Sequence, residues 1–210
     1  CEDTYRPDNN PCEVTIAENR IQITAPVDPL LATRKGIAVS IGEKGEFLVD
    51  NFAINESDLL YSCAMWGVTC TNPGKDRSYV IPLGDGSDWD CFKMVYFKKF
   101  GAGAALVNDP QISLTEDCLY LKPNGVQNKR GIEAPYGTIM MDVPDQETAF
   151  IKKVAYDING THPMGCNLAF YVAPDNLFVE MESMSPEQTL KPGSEIHWVE
   201  KWLLTEKSIG

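Results

Sequence analysis

The sequence predicts an all-β protein, an antiparallel β-sandwich, and three observations carry that prediction. Apolar residues recur at every second position in run after run, the period of a strand with one buried face. Turn-forming Gly, Pro, Asn and Asp punctuate those runs, and each favours a chain reversal for its own steric or hydrogen-bonding reason. No segment keeps a helical period for more than a turn or two.

Val14 and Ile16, then Ile21 and Ile23, flank Glu18-Asn19 in the manner of a hairpin. Ile37, Val39 and Ile41 alternate up to the turn Gly42-Glu43-Lys44-Gly45. In the next strand, 47–54, the apolar set shifts from Phe47 and Val49 to Phe52 and Ile54, a change of phase that predicts a bulge. Further strands are predicted at 64–70, 78–82, 92–97, 118–121, 137–143, 148–156, 167–173, 177–184 and 194–204. Asn72-Pro73-Gly74, Pro123-Asn124-Gly125 and Lys191-Pro192-Gly193 supply turns between them. Many short strands with frequent turns and no repeat read as a sandwich. Residues 1–12 read as an N-terminal tail or tether and 13–210 as the single β-sandwich domain.

The 210 residues carry a formal net charge of −12, and both halves are acidic, so no basic domain is hidden in the average and non-specific binding to a phosphate backbone would be repelled. No nucleic-acid partner is expected on that ground. No apolar run approaches the length of a membrane-spanning helix. Seven cysteines and two histidines, without a C-x-x-C, give little to build a zinc site from, and no metal or cofactor is expected. The cysteine density instead predicts an extracellular, periplasmic or cell-surface setting. Cys12, Cys63, Cys70, Cys91, Cys118 and Cys166 are the disulfide candidates, in any of their pairings, with buried free thiols as the alternative. Cys1 is left over, and lipidation there is the one candidate route to a membrane. Asn55-Glu56-Ser57 and Asn159-Gly160-Thr161 are glycosylation sequons, making Asn55 and Asn159 the candidate acceptors.

No nucleophile elbow, phosphate loop or dinucleotide fingerprint occurs. His162 and His197 stand in no recognisable catalytic context. The loop Asp85-Gly86-Ser87-Asp88-Trp89-Asp90 concentrates three carboxylates, but not in an EF-hand order, and reads as a solvated turn. The informative segment is 177–184. As a strand it sends Leu177, Val179 and Met181 to an apolar core face, and Phe178, Glu180 and Glu182 to the other. Two carboxylates on one sheet face can accept sugar hydroxyls or perform acid/base chemistry; a solvated outer face would show the same pattern. In 194–204, Ile196, Trp198, Trp202 and Leu204 share a face with Glu200 between the tryptophans.

From Leu177 to Leu204 the order E-x-E (Glu180, Glu182), Ser185-Pro186, Leu190-Lys191-Pro192-Gly193 and Trp198 to Trp202 resembles the C-terminal signature of galactose-mutarotase-like β-supersandwich proteins, in a mostly bacterial branch. Upstream, 33–37 with Arg34, 49–55, 64–69 with Trp66, 108–112 and 129–131 with Lys129 resemble that branch in the same order. The resemblance implies a galactose-mutarotase-like supersandwich, shortened at its N-terminus. It implies a ligand face of Arg34, Trp66, Lys129, Glu180 and Glu182, with Glu180 and Glu182 as the candidates for any acid/base role. Arg34 and Lys129 could equally be counter-charges to the glutamates. The histidine pair of the mutarotases has no match here, so their catalysis is not implied.

The expectation that follows is a secreted or envelope protein that binds a saccharide on a concave sheet face. The alternative is a structural subunit of an extracellular assembly, self-associating through strand edges.

Overall fold

In the computed structural model, which describes residues 10–84 and 91–206, a strand-turn-strand repertoire fills the chain and three 3₁₀ turns are the only helical elements among the described residues. Cys1, nearly all of the polar run that follows it, and the carboxylate loop 85–90 lie outside the described residues. The strands are β1 (Glu13–Ala17), β2 (Arg20–Thr24), β3 (Thr33–Ile41), β4 (Phe47–Asn55), β5 (Tyr61–Cys63), β6 (Trp66–Thr71), β7 (Ser78–Pro82), β8 (Lys93–Tyr96), β9 (Ile112–Leu114), β10 (Cys118–Leu121), β11 (Asn128–Glu133), β12 (Thr138–Val143), β13 (Thr148–Lys153), β14 (Leu168–Val172), β15 (Val179–Met184), β16 (Gln188–Leu190) and β17 (Glu195–Thr205).

A ten-stranded sheet runs in the order β1-β2-β3-β4-β17-β13-β12-β7-β10-β9, and a five-stranded sheet in the order β6-β15-β14-β11-β8. A small ribbon, β16-β5, closes one side. Adjacent strands pair antiparallel throughout. The main core lies between the two sheets. The larger contributes Tyr79, Ile81, Leu119, Leu121, Ile139, Met141 and Trp198, and the smaller Ile132, Leu168, Phe170, Val172, Val179 and Met181. Period-two alternation thus has its usual cause, one face of each sheet turned to the other.

Two expectations from the apolar pattern are corrected. β4 contains no bulge: its register is continuous with β3 from Asn55 to Phe47 and with β17 from Ile54 to Phe47. The phase change arises because both faces of β4 are covered there. Phe52 points away from the inter-sheet core and is still only 4% exposed, because its ring lies over Gly36, where a Cβ would stand 2.1 Å from the ring edge. Leu177 is not core; it precedes β15 and is 75% exposed.

The six described cysteines are all unpaired, which corrects the disulfide expectation for Cys12, Cys63, Cys70, Cys91, Cys118 and Cys166. They lie on separate elements: Cys63, at the end of β5, packs beside Ala53, Leu190 and Ile196, whereas Cys166, in the turn before β14, is sealed against Ala169 and Met184. Asn55 is not a glycan acceptor in this fold. It is fully buried, and its Nδ2 donates to the carbonyls of Leu59 and Leu190. Asn159 is exposed in a turn.

Candidate functional site

The strand β15 carries the site because its alternation is clean. Val179 and Met181 are fully buried toward the core, so Glu180 and Glu182 project from the opposite, outer face of the five-stranded sheet. Register then assembles the rest. Glu180 stands opposite Cys70 of β6 and Tyr171 of β14, and Tyr171 stands opposite Lys129 of β11. Glu182 has Val68 on one side and Ala169 on the other, with Gly131 beyond. Those two small residues clear a path. Lys129 reaches diagonally across β14 to Glu182 over the space that Ala169 leaves, a span of about two strand spacings, or roughly 10 Å.

Lys129 Nζ lies 2.9 and 3.0 Å from the two carboxylate oxygens of Glu182. Trp66 Nε1 donates to the same carboxylate at 2.6 Å. Four aromatic rings ring the ammonium: Trp66 and Phe100 at 5.2 Å and Phe97 and Tyr171 at 5.9 Å to their centroids. A cation so enclosed gains from each ring quadrupole as well as from the ion pair. Gln127 Nε2 holds the Tyr171 hydroxyl at 2.7 Å. Phe97 and Phe100 meet edge to face, and Phe178 packs at 6.0 Å from Tyr171.

The two glutamates therefore differ in kind. Glu182 is buried, at 1% exposure, and its oxygens are occupied by Lys129 and Trp66, so it organises the face and is not a free acid or base. Glu180 is half-buried and keeps acceptor capacity toward solvent. Burial first, and the charge of Glu182 second, hold its carboxyl above the usual range, with Lys129 opposing. Trp66 and Phe100, which enclose Lys129 on the same face, are 41% and 40% exposed and leave aromatic surface uncovered.

Arg34 does not join this group. It sits on β3 of the ten-stranded sheet, and its Nε pairs with Glu56 at 2.9 Å. Of the residues the motif order implied, the structure brings together Trp66, Lys129, Glu180 and Glu182, and Lys129 proves to be the counter-charge of Glu182. Tyr171, Phe97 and Phe100 complete the face. Their signal in the sequence was weak, since two of them follow β8 outside any strand.

The histidines lie elsewhere. His162 is buried, with Nδ1 3.1 Å from the Met184 carbonyl and its ring stacked on Tyr156. His197 lies between Asp50 at 3.0 Å and Glu195 at 3.2 Å on the outer face of the large sheet. Partial burial pulls its pKa down, but the hydrogen bonds and charges of Asp50 and Glu195 outweigh that and raise it. Among the described residues no group of His, Cys, Asp and Glu could hold a metal ion.

A second charged network lies between the sheets. Lys152 Nζ pairs with Glu200 at 2.9 Å and donates to the carbonyls of Gly67 and Met181 and to Thr69 Oγ1. Ser183 Oγ and Trp202 Nε1 complete Glu200 at 2.6 and 2.9 Å. Glu200, between its tryptophans, is thus a buried structural anion directly beneath the site strands β6 and β15.

No protein-family model matches the chain, and no curated protein matches it. Solved structures do match. A galactose mutarotase-like protein from Lactobacillus casei superposes with a TM-score of 0.63 at 12% identity, over 92% of this chain and 73% of its own. A GalM/aldose epimerase homologue from C. elegans gives 0.60 at 7% identity, over 94% and 69%. A TPR-domain containing protein from Parabacteroides distasonis gives 0.57 at 14%, over 95% of this chain but only 35% of its own. At these identities the likeness establishes the fold, a galactose-mutarotase-like β-sandwich, as the C-terminal motif order implied, and one fold hosts many activities.

Proposed function

We propose that this protein binds a saccharide on the outer face of its five-stranded sheet. The observation that carries the reading is one face where Glu180 stands opposite Tyr171, beside a Glu182 already paired with Lys129 and the rings of Trp66 and Phe100 that enclose that lysine. A carboxylate accepts hydrogen bonds from sugar hydroxyls, and aromatic rings receive the apolar C–H faces of a pyranose. The structural neighbours named for galactose mutarotase and aldose epimerase support a carbohydrate ligand. No reaction is assigned: Glu182 is engaged, and neither histidine reaches the face.

The test is a panel of neutral and acidic mono- and oligosaccharides read by ligand-observed NMR, with Glu180→Ala as the site variant. The expected result is at least one ligand whose signal is lost in the variant, while near-UV circular dichroism shows the fold retained. A blank panel, or equal binding by the variant, overturns the reading.

A further inference from the structure

The ten-stranded sheet is wider than the sheet that covers it, and the excess is apolar. Along one cross-strand row the cover fades from β4 to β1. Val49 is 1% exposed, Val39 is half-buried, Ile21 is 49% exposed and Ile16 is 75% exposed. The parallel row ends in Ile23 at 40% and Val14 at 58%. These residues share the face of Trp198 and hence of the main core, through Ile37 and Asn51.

The hairpin β1-β2 is cleanly amphipathic. Its core-side face holds Val14, Ile16, Ile21 and Ile23 and no charge; its other face holds Glu13, Thr15, Arg20, Gln22 and Thr24. Beside the hairpin, a groove of about 1010 Å³ runs between this floor and Trp66 at the edge of the smaller sheet. The missing layer is therefore a pair of strands, apolar toward the floor and polar toward solvent.

We infer that a second copy of this chain supplies that layer, its own β1-β2 hairpin packing face to face on the first. The hairpin that lacks cover has the form that the cover must have, so a two-fold operation satisfies both copies at once. The hairpin's own face carries no charge to desolvate, Lys35 and Asp28 lying in the adjoining groove, whereas edge-to-edge pairing of β1 strands would leave the four aliphatics in water. Two such faces with the adjoining groove remove on the order of 1,000 Å² from solvent, the lower end for a specific dimer. This inference does not depend on the saccharide reading.

Sedimentation velocity of the full chain, from low micromolar to near-millimolar, tests it. The expected result is a reversible monomer–dimer equilibrium. Ile16→Glu should weaken it by about thirtyfold, and Thr15→Glu, on the opposite face of the same strand, should leave it unchanged. A wild-type protein monomeric throughout overturns the inference, as does a dimer insensitive to Ile16→Glu. Equal weakening by both variants would indicate pairing through the β1 edge and would also overturn it. Both substituted side chains are solvent-exposed, so circular dichroism should show both variants folded.

Discussion

Lys129 and Glu182 meet diagonally across β14, with both carboxylate oxygens within 3.0 Å of Nζ. Glu180 also feels both charges, but Glu182 is the carboxylate that Lys129 contacts directly, and it is almost completely buried. Removing the lysine strands a buried carboxylate that keeps the Trp66 indole but loses its ion pair. Lys129→Met is therefore expected to cost about 3 kcal/mol of stability, measured by urea denaturation. Glu182→Gln in the same background should restore part of it, since the stranded charge is the larger penalty. A Lys129→Met variant as stable as wild type would mean that the pair does not hold the face together.

Glu180 is expected to set the pH dependence of ligand binding. Burial and the neighbouring Glu182 raise its pKa above the ordinary glutamate range. The native state thus holds this proton more tightly than the unfolded chain does. Its contribution to stability is complete below the unfolded value and is lost as pH rises through the folded one. Saccharide affinity should move the other way, because the acceptor is the carboxylate, and should rise through that same raised value. Titration of affinity against pH checks this, with Glu180→Gln flattening the profile. A midpoint at or below the ordinary carboxylate range would show that Glu180 is not the acceptor.

How much of this was legible depended on where each residue's partners come from. β15 could be read directly, because Val179 and Met181 face a core while Glu180 and Glu182 face out. β11, which carries Lys129, could not. Asn128-Lys129-Arg130-Gly131 contains no apolar side chain, yet all four are buried. Arg130 is buried because the carbonyls of Gly103, Ala104 and Leu106 receive its guanidinium and Tyr96 covers it, and no local pattern announces partners some 25 residues away. Arg34 failed for the complementary reason: motif order carries no distance, and Glu56 lies closer along the same sheet. The hairpin β1-β2 was legible in its alternation, but its exposure was not, since alternation does not reveal which face remains uncovered.

The thiols should report the same fold. Burial pushes Cys166 to about 11, with Lys93 opposing, so it should be the last to react with an alkylating reagent. Cys12 and Cys91 are exposed and should react first. Cys70 is exposed beside Glu180, with its pKa raised by burial and then by Glu180 and Glu182. It should react slowly, and more slowly still when a saccharide is bound. Peptide mass spectrometry after timed alkylation gives the order. A free-thiol count below the number of cysteines in the denatured, unreduced protein would instead show disulfides, which are absent among the described residues.

Lys152 and Glu200 tie the two sheets together under the site, and their removal should be felt on both sides. Lys152 comes from β13 and Glu200 from β17, but the carbonyls that complete Lys152 belong to β6 and β15. The pair is fully buried, so its Coulomb attraction offsets desolvation only while the surrounding hydrogen bonds stay intact. Gly67 is part of that geometry: a Cβ there would stand 2.0 Å from Glu200 Oε1. Lys152→Met should cost about 3–5 kcal/mol because Glu200 is left unpaired, whereas Lys152→Met combined with Glu200→Leu should cost less than the sum of the single variants. Denaturation of the four members of that cycle measures the coupling. Because β15 carries Glu180, Lys152→Met should also weaken saccharide binding in the fraction that remains folded. Additive single-variant costs would show that the two charges do not act as a unit, and unchanged binding would show that the register of β15 is held by its neighbours β6 and β14 alone.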